Sequence, residues 1–394
     1  MNEKFRQAVP LIEKIENAGF QAYFVGGSVR DYLLGKPIED VDIATSAYPD
    51  EIKQLFPKTI DVGIQHGTVG VLYEGVLYEI TTFRSESEYT NYRRPKEVKF
   101  IRSLTEDLKR RDFTMNAVAM TKDGKLIDPF HGQEDIQRKL IRTVGKPAER
   151  FKEDALRIMR AIRFVSQLSF RVEGATYMAL KKYGHLLKHI SVERIYAEFS
   201  KILAGENRKQ AFLMIVDRNL YPYLPGLDGY GREIGQAGRL LHARDWTEEE
   251  MWALLLILIK KESPEPFLRK WKMPVKMIRT VRQIYEAFQY RKENGWTKYA
   301  VYQFGIETSY STEKIYCAIK QTDEKLSLAK LKRIARDLPI TNRKELKVTG
   351  NDLMEWYQKK GGPWVKDVFE KIEKAVINRE VENDRERIKE WLDP

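Results

Sequence analysis

Hydrophobic spacing changes character once along this chain, and that change limits the fold more than any other feature. Up to about residue 144, short strand-like apolar runs alternate with short helical patterns, broken by glycine and proline. Beyond Gly145-Lys146-Pro147 they recur three and four apart almost to the end. The expectation is an α+β protein: a small mixed-sheet head followed by an all-helical remainder. Residues 5–17 read as a helix through Phe5, Val9, Ile12 and Ile15, and residues 21–25 as a strand. Gly26-Gly27 then turns the chain into a short helix over 28–34, stopped by Gly35 and Pro37. Residues 41–44 form a second strand, and Pro49 opens a helix that Pro57 closes. Residues 67–73 and 76–83 pair as a hairpin about Glu74-Gly75, which makes the sheet mixed. Residues 117–120 and 126–127 suggest another hairpin. Segments 151–167, 173–183, 191–203, 206–218, 248–262, 275–291 and 323–335 carry the helical spacing, and the glycine cluster at 226–238 reads as a hinge between helical domains.

At 394 residues the chain exceeds one ordinary core and suits two or three domains. Sixty-nine lysines and arginines against 57 acids leave a charge of +12, for which a polyanion such as RNA or DNA is the natural partner. A single cysteine, Cys317, excludes a disulfide framework and a cysteine-rich zinc site, and fits a reducing cytoplasm. Residues 1–16 hold no apolar signal core, and the most hydrophobic stretch, 251–259, is too short for a bilayer, so no membrane role is expected.

Four clusters carry chemistry. In Glu39-Asp40-Val41-Asp42-Ile43-Ala44 the alternation places Asp40 and Asp42 on one face of a strand, Cα atoms roughly 6.6 Å apart. Such a pair can share divalent ions, and hard oxygen ligands suit Mg²⁺. Glu79 alternates with Tyr78 and Ile80 and reads either as a third catalytic carboxylate or as a solvent-facing strand residue. Gly26-Gly27-Ser28-Val29-Arg30-Asp31 sets two glycines before a helix, a place where backbone N–H groups receive phosphate; Ser28 is the candidate cap. In Lys109-Arg110-Arg111-Asp112-Phe113-Thr114-Met115-Asn116, arginine forks suit phosphate oxygens, Asp112 is placed to hold one arginine, and Asn116 adds a hydrogen-bonding amide.

On a continuous helix, Glu153, Arg157 and Arg160 would share one side, with Asp154 beside them. Two readings stay open: a surface ion pair, or an acceptor and two donors offered to a base edge by Asp154 and Arg157. The polar stretch 84–100, with Tyr89, Tyr92, Arg93, Arg94, Lys96 and Lys99, reads as a loop able to close over a nucleotide or as an ordinary surface loop. His185 and His189, four apart, lack a zinc motif and read as structural or solvent-facing.

Together and in this order, the four clusters resemble the bacterial class II tRNA nucleotidyltransferases, CCA-adding enzymes of the polymerase-β-like superfamily, over roughly the first 165 residues. The resemblance implies a catalytic head (1–148), a neck with the nucleotide-selecting helix (149–205), a helical body (206–300) and a tRNA-binding tail (301–394). It implies Asp40 and Asp42 as Mg²⁺ ligands, and Glu79 stays a further catalytic candidate from its place on the strand. Asp154 and Arg157 become the amino-acid template for CTP and ATP. Gly26, Gly27, Ser28, Arg30, Arg111, Asp112, Asn116 and Arg160 complete the nucleotide site. It implies contacts with the acceptor stem and elbow of tRNA, and leaves a homodimer open. Bacterial poly(A) polymerases and enzymes adding only C or only A share these motifs. Other classes also stay in view: a non-catalytic RNA-binding protein, and a small-molecule nucleotidyltransferase.

Overall fold

The computed structural model describes residues 1–394 except 87, 88, 91–93, 96, 97, 242–244, 262 and 394, and omits the side chains of 86, 89, 90, 94 and 95. The chain divides into two compact units, 1–242 and 243–394.

The first unit opens with helix α1 (Glu3–Asn17), capped by the Asn2 side chain, which accepts the Lys4 N–H at 3.0 Å. Strand β1 (Ala22–Val25), helix α2 (Gly27–Leu33), strand β2 (Asp42–Thr45) and helix α3 (Pro49–Leu55) follow. Strands β3 (Thr59–Gly63), β4 (Thr68–Tyr73) and β5 (Val76–Thr82) complete most of one sheet. Beyond it, β6 (Arg84–Glu86) pairs with β9 (Val98–Phe100), and β7 (Tyr89–Thr90) with β8 (Arg94–Pro95). Helix α4 (Leu104–Lys109) leads to β10 (Ala119–Met120) and β11 (Leu126–Ile127), which join the main sheet.

That sheet has the order β11-β10-β1-β2-β5-β4-β3 and is mixed, with β2 and β5 its parallel pair. One face is buried under α1, α2 and α3 through Phe5, Ile12, Val29 and Ile52, which meet Phe24, Ile43, Val69 and Ile80. On the other face, Val25 and Ala44 are covered by Phe83, Leu104, Leu108 and Ala117. Strand β3 is absent from the sequence reading; it is an edge strand in which Ile60, Asp61 and Val62 are all exposed.

After α5 (Gly132–Gln137) and β12 (Leu140–Ile141) the chain turns helical, with two departures from expectation. The helix expected across 151–167 is broken into α6 (Pro147–Glu153) and α7 (Leu156–Leu168). Asp154 adopts φ −136°, ψ 103°, and its Oδ1 accepts the Leu156 N–H at 3.1 Å, a local side-chain turn that competes with the helical ladder. The remainder is also not all-helical, since β13 (Arg171–Val172) pairs in parallel with β12. Helices α8 (Gly174–Tyr183), α9 (Val192–Ala204), α10 (Arg208–Asp217) and α11 (Gly231–Leu240) complete the unit.

Within the glycine cluster at 226–238, expected as a hinge, α11 takes up residues 231–238 and lies on α10, while Gly226 and Gly229 stand in the loop before it at positive φ. A Cβ on Gly238 would stand 2.5 Å from the Phe212 Cβ, so this glycine serves close helix approach. His185 and His189 are both exposed on a 3₁₀ segment, where residues four apart do not share a face.

The second unit is helical among its described residues: α12 (Glu248–Leu258), α13 (Pro264–Lys270), α14 (Val275–Asn294), α15 (Lys298–Phe304) and α16 (Ile306–Lys320). It continues through α17 (Glu324–Arg336), α18 (Gly350–Trp356), α19 (Pro363–Asn378) and α20 (Arg385–Leu392). Buried carboxylates there are matched by cations, Glu250 by Lys314 and Glu313 by Arg291, each at 2.7 Å. No described helix is long and apolar enough to cross a membrane.

Candidate active site

Asp42 opens β2, and its lateral neighbour on the parallel strand β5 is Glu79, so both carboxylates stand on one face. Asp40 lies two residues ahead of the strand, exposed, between the buried side chains of Ile38 and Val41. Asp40 thus lies outside the strand expected to carry it with Asp42, though near enough to act on that carboxyl, and Glu79 joins Asp42 from the adjacent strand. Burial pushes the Asp42 carboxyl above its ordinary range; Arg111 pulls it down, while Glu79 and Asp40 push it further up.

Gly26 sits at φ +75°, and a Cβ there would lie 3.2 Å from Arg111 Nη1 and 3.3 Å from Asp42 Oδ2. Only glycine satisfies both the backbone and the approach of these two side chains. Ser28 departs from expectation. Its hydroxyl donates inward to the Val25 carbonyl at 2.9 Å and neither caps α2 nor faces the site.

Arg30 is held by Asp31 at 2.9 and 2.8 Å and donates to Asn116 Oδ1 at 2.8 Å. Asn116 donates to Asp112 Oδ1 at 3.0 Å, and Asp112 Oδ2 accepts from Arg160 Nε at 2.6 Å. This chain ties α2 to α7. Burial opposes the charge on Asp112, yet Arg160, the Asn116 amide and Arg157 hold its carboxyl down at about 2. The sequence reading missed Asp107, which is 1% exposed and accepts from Arg110 at 2.9 and 2.8 Å and from Arg111 at 3.3 Å. Its spacing, three and four residues before the two arginines on a helix, was the available signal.

Asp154 and Arg157 face the same cavity but do not pair with each other. Asp154 accepts two bonds from Arg194 of α9, at 3.3 and 2.7 Å. Arg157, 7% exposed, donates to Glu153 at 2.5 Å and to the carbonyls of Arg150 and Arg110 at 3.2 and 2.9 Å. Glu198, also from α9, stands 3.3 Å from Arg163 and 3.9 Å from Arg160. Arg194 and Glu198 were invisible as site residues in the sequence because α9 lies some forty residues beyond the motif it contacts.

A cavity of about 970 Å³ is lined here by eight arginines and one lysine against five carboxylates, Glu39, Asp42, Glu79, Asp112 and Asp154. That excess suits a polyphosphate. Of the expected site residues, Gly26, Gly27, Arg30, Asp42, Glu79, Arg111, Asp112, Asn116, Asp154, Arg157 and Arg160 line it, while Ser28 and Asp40 do not. Tyr92, Arg93, Lys96 and the side chains of Tyr89 and Arg94 lie outside the described residues.

Among the described residues no group of three or more Asp, Glu, His or Cys side chains is close enough to form a complete metal cage. The donors still suit a hard cation: Asp42 has like charges beside it whose repulsion a cation would relieve, and Mg²⁺ needs only one or two carboxylates when phosphates complete its shell.

Residues 22–142 match the family described as Poly A polymerase head domain, residues 169–230 an RNA and SrmB-binding site of polymerase A, and residues 245–392 tRNA nucleotidyltransferase domain 2. The CCA-adding enzyme of Geobacillus sp. (strain WCH70) is 48% identical over 393 residues, covering 100% of this chain and 97% of that protein. The chain belongs to the bacterial CCA-adding enzymes. Its CCA-adding relative from Bacillus cereus (strain G9842) is 47% identical, covering 99% of this chain and 98% of that one. The crystal structure of the Bacillus stearothermophilus CCA-adding enzyme in complex with CTP matches with TM-score 0.90 at 44% identity, covering 100% of this chain and 97% of that one.

Proposed function

We propose that this chain adds C, C and A in turn to the 3′ end of tRNA from CTP and ATP, releasing pyrophosphate, without a nucleic-acid template. Full-length identity to CCA-adding enzymes carries the reading, with the motif residues gathered in one arginine-rich cavity behind it. In this reading the head is residues 1–148, the neck 149–205, the body 206–300 and the tail 301–394, and the acceptor stem and elbow are the parts of tRNA bound. A cytoplasmic location and the absence of a membrane partner belong to the same reading.

Arg111 and Arg30 neutralise the triphosphate, and Gly26 lets the α-phosphate approach Asp42. Asp42 and Asp40, with Glu79 beside them, would hold Mg²⁺, which supplies charge to activate the attacking hydroxyl and stabilise the leaving pyrophosphate. The RNA 3′-oxygen forms a bond to the α-phosphorus as the bridge to the β-phosphate breaks.

The template role of Asp154 and Arg157 requires an exchange of partners. Asp154 leaves Arg194, and Arg157 gives up bonds to Glu153 or the carbonyls, when a base edge arrives. A base that cannot satisfy both groups leaves buried polar atoms unpaired, which is where selectivity arises.

The test is incorporation of labelled CTP into a tRNA transcript ending before CCA, with and without Mg²⁺. Metal-dependent label in the wild type and none in Asp42→Ala supports the reading; equal label in both overturns it.

A further inference from the structure

The sheet face that carries the catalytic carboxylates continues past them. Lateral pairing runs Asp42, Glu79, Gly70, Ile60 across β2, β5, β4 and β3, so the four share one face. Leu77, two residues before Glu79, stands opposite Leu72 on that same face. A Cβ on Gly70 would lie 2.8 Å from Val62 Cγ2 and 3.1 Å from Leu77 Cδ1, so these two side chains close over the glycine. The result is an apolar shelf of Ile60, Val62, Leu72 and Leu77, exposed by 53, 47, 41 and 47%. Four of the eleven exposed large apolar side chains among the described residues gather here, where scattered exposure alone would need no explanation. Over β1 and β2 the same face is covered by Phe83, Leu104 and Leu108.

Position decides what the shelf could serve. Asp42 and Glu79 line the arginine cavity, whereas Asp40 and the four apolar residues do not. Along β5 the cavity takes in Glu79 and Thr81 but not Leu77, and along β4 it takes in Thr68 but not Leu72. The carboxylates therefore mark a border, with the arginine cavity on one side and the shelf on the other. In-line displacement needs the attacking hydroxyl and the leaving pyrophosphate on opposite sides of the α-phosphorus. With the triphosphate among the arginines, the hydroxyl arrives over the shelf.

We propose that Ile60, Val62, Leu72 and Leu77 form the platform on which the unpaired 3′ end of the RNA rests, its terminal base and ribose packed on aliphatic side chains; this rests on the transfer reaction proposed above. Unpaired bases present apolar faces, and contact through those faces tolerates any base. An enzyme whose primer terminus changes after each addition needs such indifference. The aliphatic groups offer no hydrogen bond by which one base could be preferred.

The experiment compares wild type with Leu77→Ser, Val62→Ser and the conservative Leu77→Met, each confirmed folded by its melting temperature. KM is measured for a tRNA transcript ending before CCA and, separately, for CTP, with sedimentation equilibrium at the assay concentration. The serine variants should raise KM for the RNA by about ten-fold, the scale of one lost apolar side-chain contact, with KM for CTP unmoved and Leu77→Met close to wild type. An unchanged KM for RNA, or a change confined to dimerisation, overturns the platform while leaving the transfer reaction standing. No incorporation by the wild type overturns the transfer reaction itself.

Discussion

Asp42 places a carboxylate where burial and two neighbouring acids oppose its charge, and this cost is intelligible if the site is built for a cation. Asp42→Ala and Asp40→Ala should each lower incorporation by at least about a thousand-fold, because the proposed transfer draws on metal charge held by these two carboxylates. Circular dichroism should show both variants folded, since Asp40 is exposed and Asp42 opens a strand without anchoring the core. Unchanged turnover in either would contradict the assignment. Arg194 offers a test of the template exchange. Arg194→Met removes the two donors that hold Asp154, and the ratio of CTP to UTP incorporation should fall while KM for tRNA stays near wild type. Nucleotide preference identical to wild type would show that the Arg194–Asp154 pair has no part in selection. Gly26→Ala should reduce incorporation sharply, because the added methyl meets both Asp42 and Arg111 at a positive φ.

At the scale of elements, the chain from Asp31 through Arg30, Asn116 and Asp112 to Arg160 joins α2 to α7, and Asp112 is its most buried carboxylate. Its folded value, about 2, lies below the ordinary carboxylate value, so the stability it contributes is present above that ordinary value. That contribution is lost as pH falls toward 2 and amounts to about 2–3 kcal/mol. Urea titrations should therefore show wild type losing more stability than Asp112→Asn between about pH 5 and pH 2; parallel losses would remove Asp112 from the account.

Much of this was legible in the sequence, because β1, β2 and β5 are short apolar-rich runs, clearly alternating in β5, with glycine or proline near their ends. The Asp42–Glu79 neighbourhood was legible only in part, since alternation tells which face a residue takes but not which strand lies beside it. The break at Asp154 was hidden because a side-chain turn overrides an apolar pattern that runs on unbroken. The 226–238 cluster mixes two uses of glycine, a loop at Gly226 and Gly229 and close helix approach at Gly238, and composition does not separate the two. Gly238→Val tests the second meaning, and should lower the melting temperature by forcing α10 and α11 apart against Phe212.

Across the whole molecule, a charge of +12 and a cavity rich in arginine predict that RNA binding weakens steeply with salt, while selectivity among nucleotides, set by hydrogen bonds, does not. Filter binding of tRNA across about 50–300 mM salt should give a negative linear slope on logarithmic axes; a flat response would contradict an electrostatic interface. The most direct test of the central claim uses three tRNA transcripts, ending before CCA, after the first C and after the second C. Labelled CTP and ATP are supplied separately and together with Mg²⁺. The account predicts two C additions to the first transcript, one to the second, a single A on the third, and a halt at CCA when both nucleotides are present. Addition of A alone, C alone or long A tails would contradict complete CCA addition, and no incorporation on any transcript would contradict the transferase itself.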